Sequence, residues 1–298
     1  MLGMTGHGFL ILPFFCSLVY AIGALLLKRS MEAGYSPRHG LVACNLSIAL
    51  FSLPLLLGAK MPPPGLSVWI WLAAPACSAL FFLGQIATFR ALAGGDVSVA
   101  TPILGTKVVI TALFGALFLP GGVAPSLWVG ALLGTVGVAL VGLQPGLRTG
   151  KALRAVGWGL GSAAVFSLTD VLVARAAGEM GFCLFGPAMM VGMAVLSVGL
   201  VPRTGWGNML QGGGGRWALA GAALIGLQGT FLYASIALSG DPVAVNIVYA
   251  LRGLWSVLLV AWIGAWLGNR EAGLARSVLI WRGLGAVLLF AAVGLVLG

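Results

Sequence analysis

Three ionisable side chains lie deep inside stretches that are otherwise almost purely apolar: Lys107 in a run from Val97 to Leu119, Asp170 in one from 155 to 175, and Arg252 in one from 242 to 267. Their chemistry is recognition rather than bond making. An ammonium and a guanidinium attract a carboxylate or phosphate, and a carboxylate balances a cation or takes up a proton. Gln85, Gln228, Asn246, Tyr249 and Tyr233 stand on runs that could line the same space, although an amide in such a run equally serves as glue between helices. No catalytic set accompanies them. His7 and His39 are isolated, the chain has only six acidic residues, and nothing resembles an acid–base pair beside a nucleophile. Cys16, Cys44, Cys77 and Cys183 all fall in apolar runs without CxxC spacing, which reads as small packing residues. No metal site or cofactor is indicated, and "GLRTGKA" (146 to 152) has its glycines one residue too close for a phosphate loop.

Composition determines what must position these groups. Hydrophobic residues make up 60% of the 298, charged residues 7%, and mean hydropathy is +1.09, whereas a water-soluble surface needs about 25% charged residues. The natural solvent is lipid. Ten apolar runs stand between polar punctuation, near 9 to 28, 40 to 58, 67 to 89, 97 to 119, 124 to 143, 155 to 175, 181 to 201, 217 to 238, 242 to 267 and 277 to 297. Each is long enough for a crossing of about 20 residues. Helices satisfy their own backbone groups and the alternation of barrel strands is absent, so the expected fold is all-α, an integral membrane protein of ten transmembrane helices. Pro75 is expected to break the third run, and Arg282 intrudes on the tenth. The first run has no basic residue before Phe9 and a basic pair, Lys28-Arg29, behind it, which fits a retained helix rather than a cleaved signal. The longest irregular piece, 202 to 217, reads as a flexible glycine-rich link. Trp69, Trp71 and Trp266 fit interfacial anchors, and Met189, Met190 and Met193 fit plain packing.

The net charge of +10 does not signal nucleic acid, because the cations gather at helix ends where they contact headgroups and set topology. Twelve (positions 28, 29, 38, 90, 148, 151, 154, 203, 216, 270, 276 and 282) fall on one side, and only Lys60 and Arg175 on the other. The positive-inside bias alone would place both termini outside the cytoplasm. Lys107 and Arg252 belong to neither side, and an internal repeat links them. A slide of 145 positions lays "DVSVATPILGTK" (96 to 107) on "DPVAVNIVYALR" (241 to 252), acid on acid and cation on cation. Slides of 150, 143 and 153 match Ser17-Leu18 with Ser167-Leu168, Gln85 with Gln228, and Trp128-x-Gly130 with Trp281-x-Gly283. Two halves of five helices follow, 1–146 and 150–298. Five is odd, so the second half enters the membrane in the opposite sense, the inverted-repeat arrangement in which substrate binds near the midplane.

Lys107 and Arg252 each sit about ten residues into their runs, roughly 15 Å deep. A charge there costs about 3 kcal/mol on insertion scales, so it faces a wet cavity, a partner or a ligand; snorkelling serves best near helix ends. Asp170 is five residues from Arg175, poorly placed for an intrahelical pair. It is expected to look inward, to Lys107, Arg252 or a proton, either as part of a site or as a fixed ion pair between helices. Gly130 and Gly134, like Gly157 and Gly161, stand four apart and could let backbones approach within the bundle or in a homodimer.

The stretches "ALAGGDVSVATPILGTKVVITALFGALFL" (91 to 119), "LWVGALLGTVGVALVG" (127 to 142) and "IALSGDPVAVNIVYALRGLWSVLL" (236 to 259) resemble the EamA-like family of the drug/metabolite transporter superfamily. That resemblance implies a secondary carrier of small metabolites in the inner (plasma) membrane, working without ATP, with both termini cytoplasmic, opposite to the charge count. It fixes no motif onto Lys107 or Arg252. Together with the net positive charge of the three buried groups, it points to an anionic or zwitterionic cargo, amino-acid-like or phosphorylated, moved by alternating access around a central cavity. An integral membrane enzyme acting on lipid-linked substrates, an exporter of neutral or aromatic compounds, and a purely structural bundle are the competing readings.

Overall fold

The computed structural model describes residues 7–94, 103, 105–142, 149–200, 214–263 and 276–298. After a short 3-10 turn at His7–Leu10 come eleven α-helices among the described residues: α1 (Ile11–Glu32), α2 (Pro37–Ser52), α3 (Val68–Gly94), α4 (Lys107–Phe118), α5 (Pro125–Val141), α6 (Thr149–Met180), α7 (Phe182–Val198), α8 (Gly215–Ser239), α9 (Pro242–Tyr249), α10 (Arg252–Ile263) and α11 (Arg276–Leu297). Local chemistry sets the boundaries. Pro37, Pro125 and Pro242 each open a helix, where a missing N–H costs nothing and the fixed φ suits the first turn. Asp241 caps α9 by accepting from the Val243 and Ala244 N–H groups at 3.1 and 2.9 Å. Gly181 alone joins α6 to α7 at φ +89°, a conformation that side chains with a Cβ avoid.

Among the described residues, seven stretches are long and apolar enough to cross a bilayer: Ile11–Glu32, Pro37–Gly58, Val68–Thr88, Val156–Met180, Gly215–Ser239, Pro242–Leu259 and Ile280–Leu297. Three shorter apolar helices, α4, α5 and α7, accompany them. Leu50, Leu72, Leu132, Val195, Phe231 and Phe290 project outward, an apolar exterior suited to acyl chains rather than water. The most extensive packing joins α3 to α6, α1 to α8 and α5 to α11; α2 lies against α7 and α8, α4 against α6, and α1 against α10. Phe185, Met189, Met190 and Met193 are fully buried in the larger of the two main cores, as the packing reading of the methionines requires.

Several expectations need correction. The run 242 to 267 is not one helix: it breaks after Tyr249 and restarts at Arg252. The Leu251 N–H donates to the Val248 carbonyl at 3.1 Å and the Gly253 N–H to that of Ala250 at 3.1 Å, a tightening to 3-10 geometry that turns the axis. In the run 97 to 119, of which 97–102 and 104 lie outside the described residues, α4 starts at Lys107 behind a similar turn in which the Thr106 N–H donates to the Ile103 carbonyl at 3.0 Å. Pro75 does not break α3, because within a packed bundle neighbouring helices hold such a helix together. A methyl placed on Gly157 or Gly161 would meet nothing within 4 Å, so neither mediates a close crossing in the chain, whereas Gly130 does face Ile247 at 3.1 Å. Close backbone approaches occur elsewhere. A Cβ on Gly137 would lie 2.9 Å from the Gly285 carbonyl, and one on Gly221 would lie 2.9 Å from that of Gly23. Arg282 is buried within α11 rather than lying at a helix end. Asp96, Trp266 and most of the 202 to 217 link lie outside the described residues.

Candidate functional site

The two helix breaks are alike atom by atom at a separation of 145 residues. In the first, the Thr106 N–H donates to Ile103 and the Ile110 N–H to Thr106; in the second, Leu251 donates to Val248 and Trp255 to Leu251, all at 3.0–3.1 Å. Behind each break a hydroxyl one turn on donates back to the carbonyl of the cation residue: Thr111 Oγ1 to Lys107 and Ser256 Oγ to Arg252, both at 2.8 Å. Lys107 and Arg252 are therefore each the first residue of a helix. That is the end where the macrodipole disfavours positive charge, so each cation calls for a compensating group.

The two are answered differently. Lys107 Nζ lies 2.7 Å from Asp170 Oδ2, brought there because α4 packs on α6. The same oxygen accepts from Asn246 Nδ2 at 2.7 Å, and that amide also donates to the Pro242 carbonyl at 2.7 Å. Asp170 is 1% exposed, and its Oδ1 has no hydrogen-bond partner among the described residues. Arg252, brought against α1, meets rings instead: its guanidinium carbon is 4.4 Å from the centre of the Tyr249 ring and 5.4 Å from that of Tyr20. Among the described residues the only ion pairs are Lys107–Asp170 and Arg29–Glu32 on the surface, so Arg252 faces no carboxylate. The 150-residue slide places Tyr20 on Asp170. The position that supplies a counterion to one cation supplies a π-face to the other. Arg175 turns away from Asp170, donating to the Phe118 carbonyl at 3.1 Å and covering Trp69.

These groups surround a cavity of about 460 Å³ that runs from the turn between α1 and α2, at Met31 and Pro37, inward to Lys107 and Arg252. Of the residues expected at the site, Lys107, Arg252, Gln85, Gln228 and Tyr249 line it, and so does Tyr233; Asp170 and Asn246 do not, lying behind Lys107 as its support. Gln85 exchanges two hydrogen bonds with Asn45, at 3.0 and 2.8 Å, and Gln228 accepts from the Tyr249 hydroxyl at 3.1 Å, so both amides join helices as well as facing the cavity. The sequence reading missed Asn45, Tyr20, Phe81 and Phe166. For Tyr20 the signal was present in the slide that placed it on Asp170; for Asn45 it was a lone amide inside an apolar run.

Many apolar helices around one polar-tipped cavity define a multi-pass membrane protein with room for a small molecule. Residues 7–143 match the model of the EamA-like transporter family, a family of the drug/metabolite transporter superfamily. A solved crystal structure of a protein that is 17% identical superposes with a TM-score of 0.71, covering 98% of this chain and 96% of its own. At that identity the likeness shows the fold alone, and it extends through both halves. No curated protein matches the chain.

Proposed function

We propose that the protein is a secondary transporter that moves a small anionic or zwitterionic metabolite across the inner (plasma) membrane, by alternating access around the central cavity. Its architecture is ten crossings in two inverted five-helix repeats, 1–146 and 150–298. Three features support this reading. Of the three main cross-half contacts, α1 with α8 and α3 with α6 exchange places when the halves are swapped, because each joins a first helix to the other half's third, and α5 with α11 joins fifth helix to fifth. The breaks before Lys107 and Arg252 repeat the same hydrogen bonds. Discontinuous helices at the interface of two repeats are where such carriers hold their cargo.

The single observation that carries the function is Arg252: a cation at a helix start, on the cavity wall, with no carboxylate against it among the described residues. With Lys107 and Asp170 balancing each other, the site holds one spare positive charge, in surroundings where a charge without a counterion costs several kcal/mol. An anion entering the cavity relieves that cost. The basic residues Lys28, Arg29 and Arg38 beside the α1–α2 turn raise the local concentration of anions at the mouth.

The test is counterflow in proteoliposomes loaded with a mixture of metabolites, without ATP. The wild type exchanges at least one anionic or zwitterionic member, and Arg252→Met slows that exchange by about tenfold or more, the effect of losing one charge-assisted contact. Exchange at the wild-type rate by Arg252→Met would remove the basis for the proposal.

A further inference from the structure

Resting on that reading, we infer that the cavity selects an organic monoanion with a flat apolar body and no ammonium group, its carboxylate docked on Arg252. The charge of the cargo follows from the wall. None of the described lining residues is acidic, because Asp170 is 1% exposed and hidden behind Lys107. An ammonium group on the cargo would therefore sit beside Arg252 and Lys107 with no counterion, between largely apolar walls where that repulsion is screened less than in bulk water. A second negative charge is also disfavoured. Its only further partner would be Lys107, whose ammonium is held 2.7 Å from Asp170. One free guanidinium therefore matches one carboxylate.

The body of the cargo follows from the rings. Tyr20, Phe81, Phe166, Tyr233 and Tyr249 all face the cavity. Phe81 lies edge-on to Phe166 at 5.0 Å and to Tyr233 at 5.6 Å, and Tyr20 edge-on to Tyr249 at 5.9 Å. Such walls hold a planar ring by edge-to-face and stacked contacts. Tyr20 and Tyr249 also lie against the Arg252 guanidinium. With its face engaged, its edge offers the N–H fork that grips a carboxylate with two parallel hydrogen bonds. The Asn45–Gln85 pair on the same wall adds only neutral donors and acceptors.

The experiment measures binding of four probes to the full-length protein in detergent by calorimetry and thermal shift: phenylacetate, phenylalanine, 2-phenylethylamine and acetate. The expected result is that phenylacetate binds at least about tenfold more tightly than each of the others, roughly the effect of one unpaired charge or one lost ring contact. Arg252→Met should weaken phenylacetate by about tenfold or more, and Arg252→Lys by less. If the Arg252 variants do not elute as a single folded species, wild-type selectivity among the four probes decides alone. Phenylalanine or phenylethylamine binding as tightly as phenylacetate would overturn the inference, as would the absence of phenylacetate binding. A parallel flux assay separates the two claims. Phenylacetate bound but never carried leaves this inference standing and sinks the transporter reading, whereas a carried zwitterion with no phenylacetate binding does the reverse.

Discussion

Replacing Lys107 by methionine keeps most of the side chain's length and removes its charge, and the consequence follows from what lies behind it. Asp170 is 1% exposed and would keep only neutral partners, chiefly Asn246 on the oxygen that Lys107 had shared. Removing one partner of a buried ion pair costs about 3–5 kcal/mol, because the remaining charge is left in a poorly solvating place. Asn246 holds the value near the lower end. Asp170→Asn should cost a similar amount by stranding Lys107 at a helix start. In Lys107→Met/Asp170→Asn neither charge remains, and the pair should recover about 2 kcal/mol or more of the summed single costs. Arg252→Met should behave differently: it loses ring contacts worth about 0.5–2 kcal/mol but removes a cation without a counterion and strands no buried anion, so its net cost should not exceed about 2 kcal/mol. The assay is unfolding in mild detergent followed by tryptophan fluorescence, with a drop in midpoint for Lys107→Met on the order of 10 °C. Single variants that each cost under about 0.5 kcal/mol and simply add in the double would refute the reasoning, since coupling is what a shared buried contact produces.

Gly137→Leu should destabilise the protein by about 1–3 kcal/mol, because a Cβ there would lie 2.9 Å from the Gly285 carbonyl; Gly157→Leu, with nothing within 4 Å, is the control, and equal effects on the unfolding midpoint would contradict the assigned crossing. Asp241→Ala removes the cap on α9 and should cost about 1 kcal/mol, with Asp241→Ser recovering most of it, as read by the same unfolding assay. Reporter domains fused to the two ends should report the same side of the membrane, as two halves of five crossings require; opposite sides would break the inverted-repeat proposal.

The class of fold was legible because lipid imposes it: runs of about 20 apolar residues have few alternatives to helices. The link between Lys107 and Arg252 was legible because a 145-residue slide aligned them, and the same offset reappears in the hydrogen bonds around each. The breaks were not legible. Gly105 precedes the first, but neither glycine nor proline stands at 250 and 251 in the second, and a local change from α to 3-10 bonding leaves no mark on apolar periodicity. Spacing excluded Arg175 as the partner of Asp170 but left Lys107 and Arg252 open. Packing made the choice, because α6 lies on α4 whereas α10 lies on α1. Glycine spacing at 157 and 161 does not correspond to a close crossing within the chain, since a small residue permits such a crossing and only tertiary packing supplies one.

The most direct measurement of the central claim is the solvent access of residue 252. In a background with the four native cysteines replaced, Arg252→Cys in sealed vesicles is exposed to a charged, membrane-impermeant methanethiosulfonate. A residue on the wall of a wet cavity that opens at the α1–α2 turn is modified quickly from that face of the membrane. Reaction only with a lipid-soluble maleimide, or with neither reagent, would place residue 252 among acyl chains or in closed packing and contradict the account.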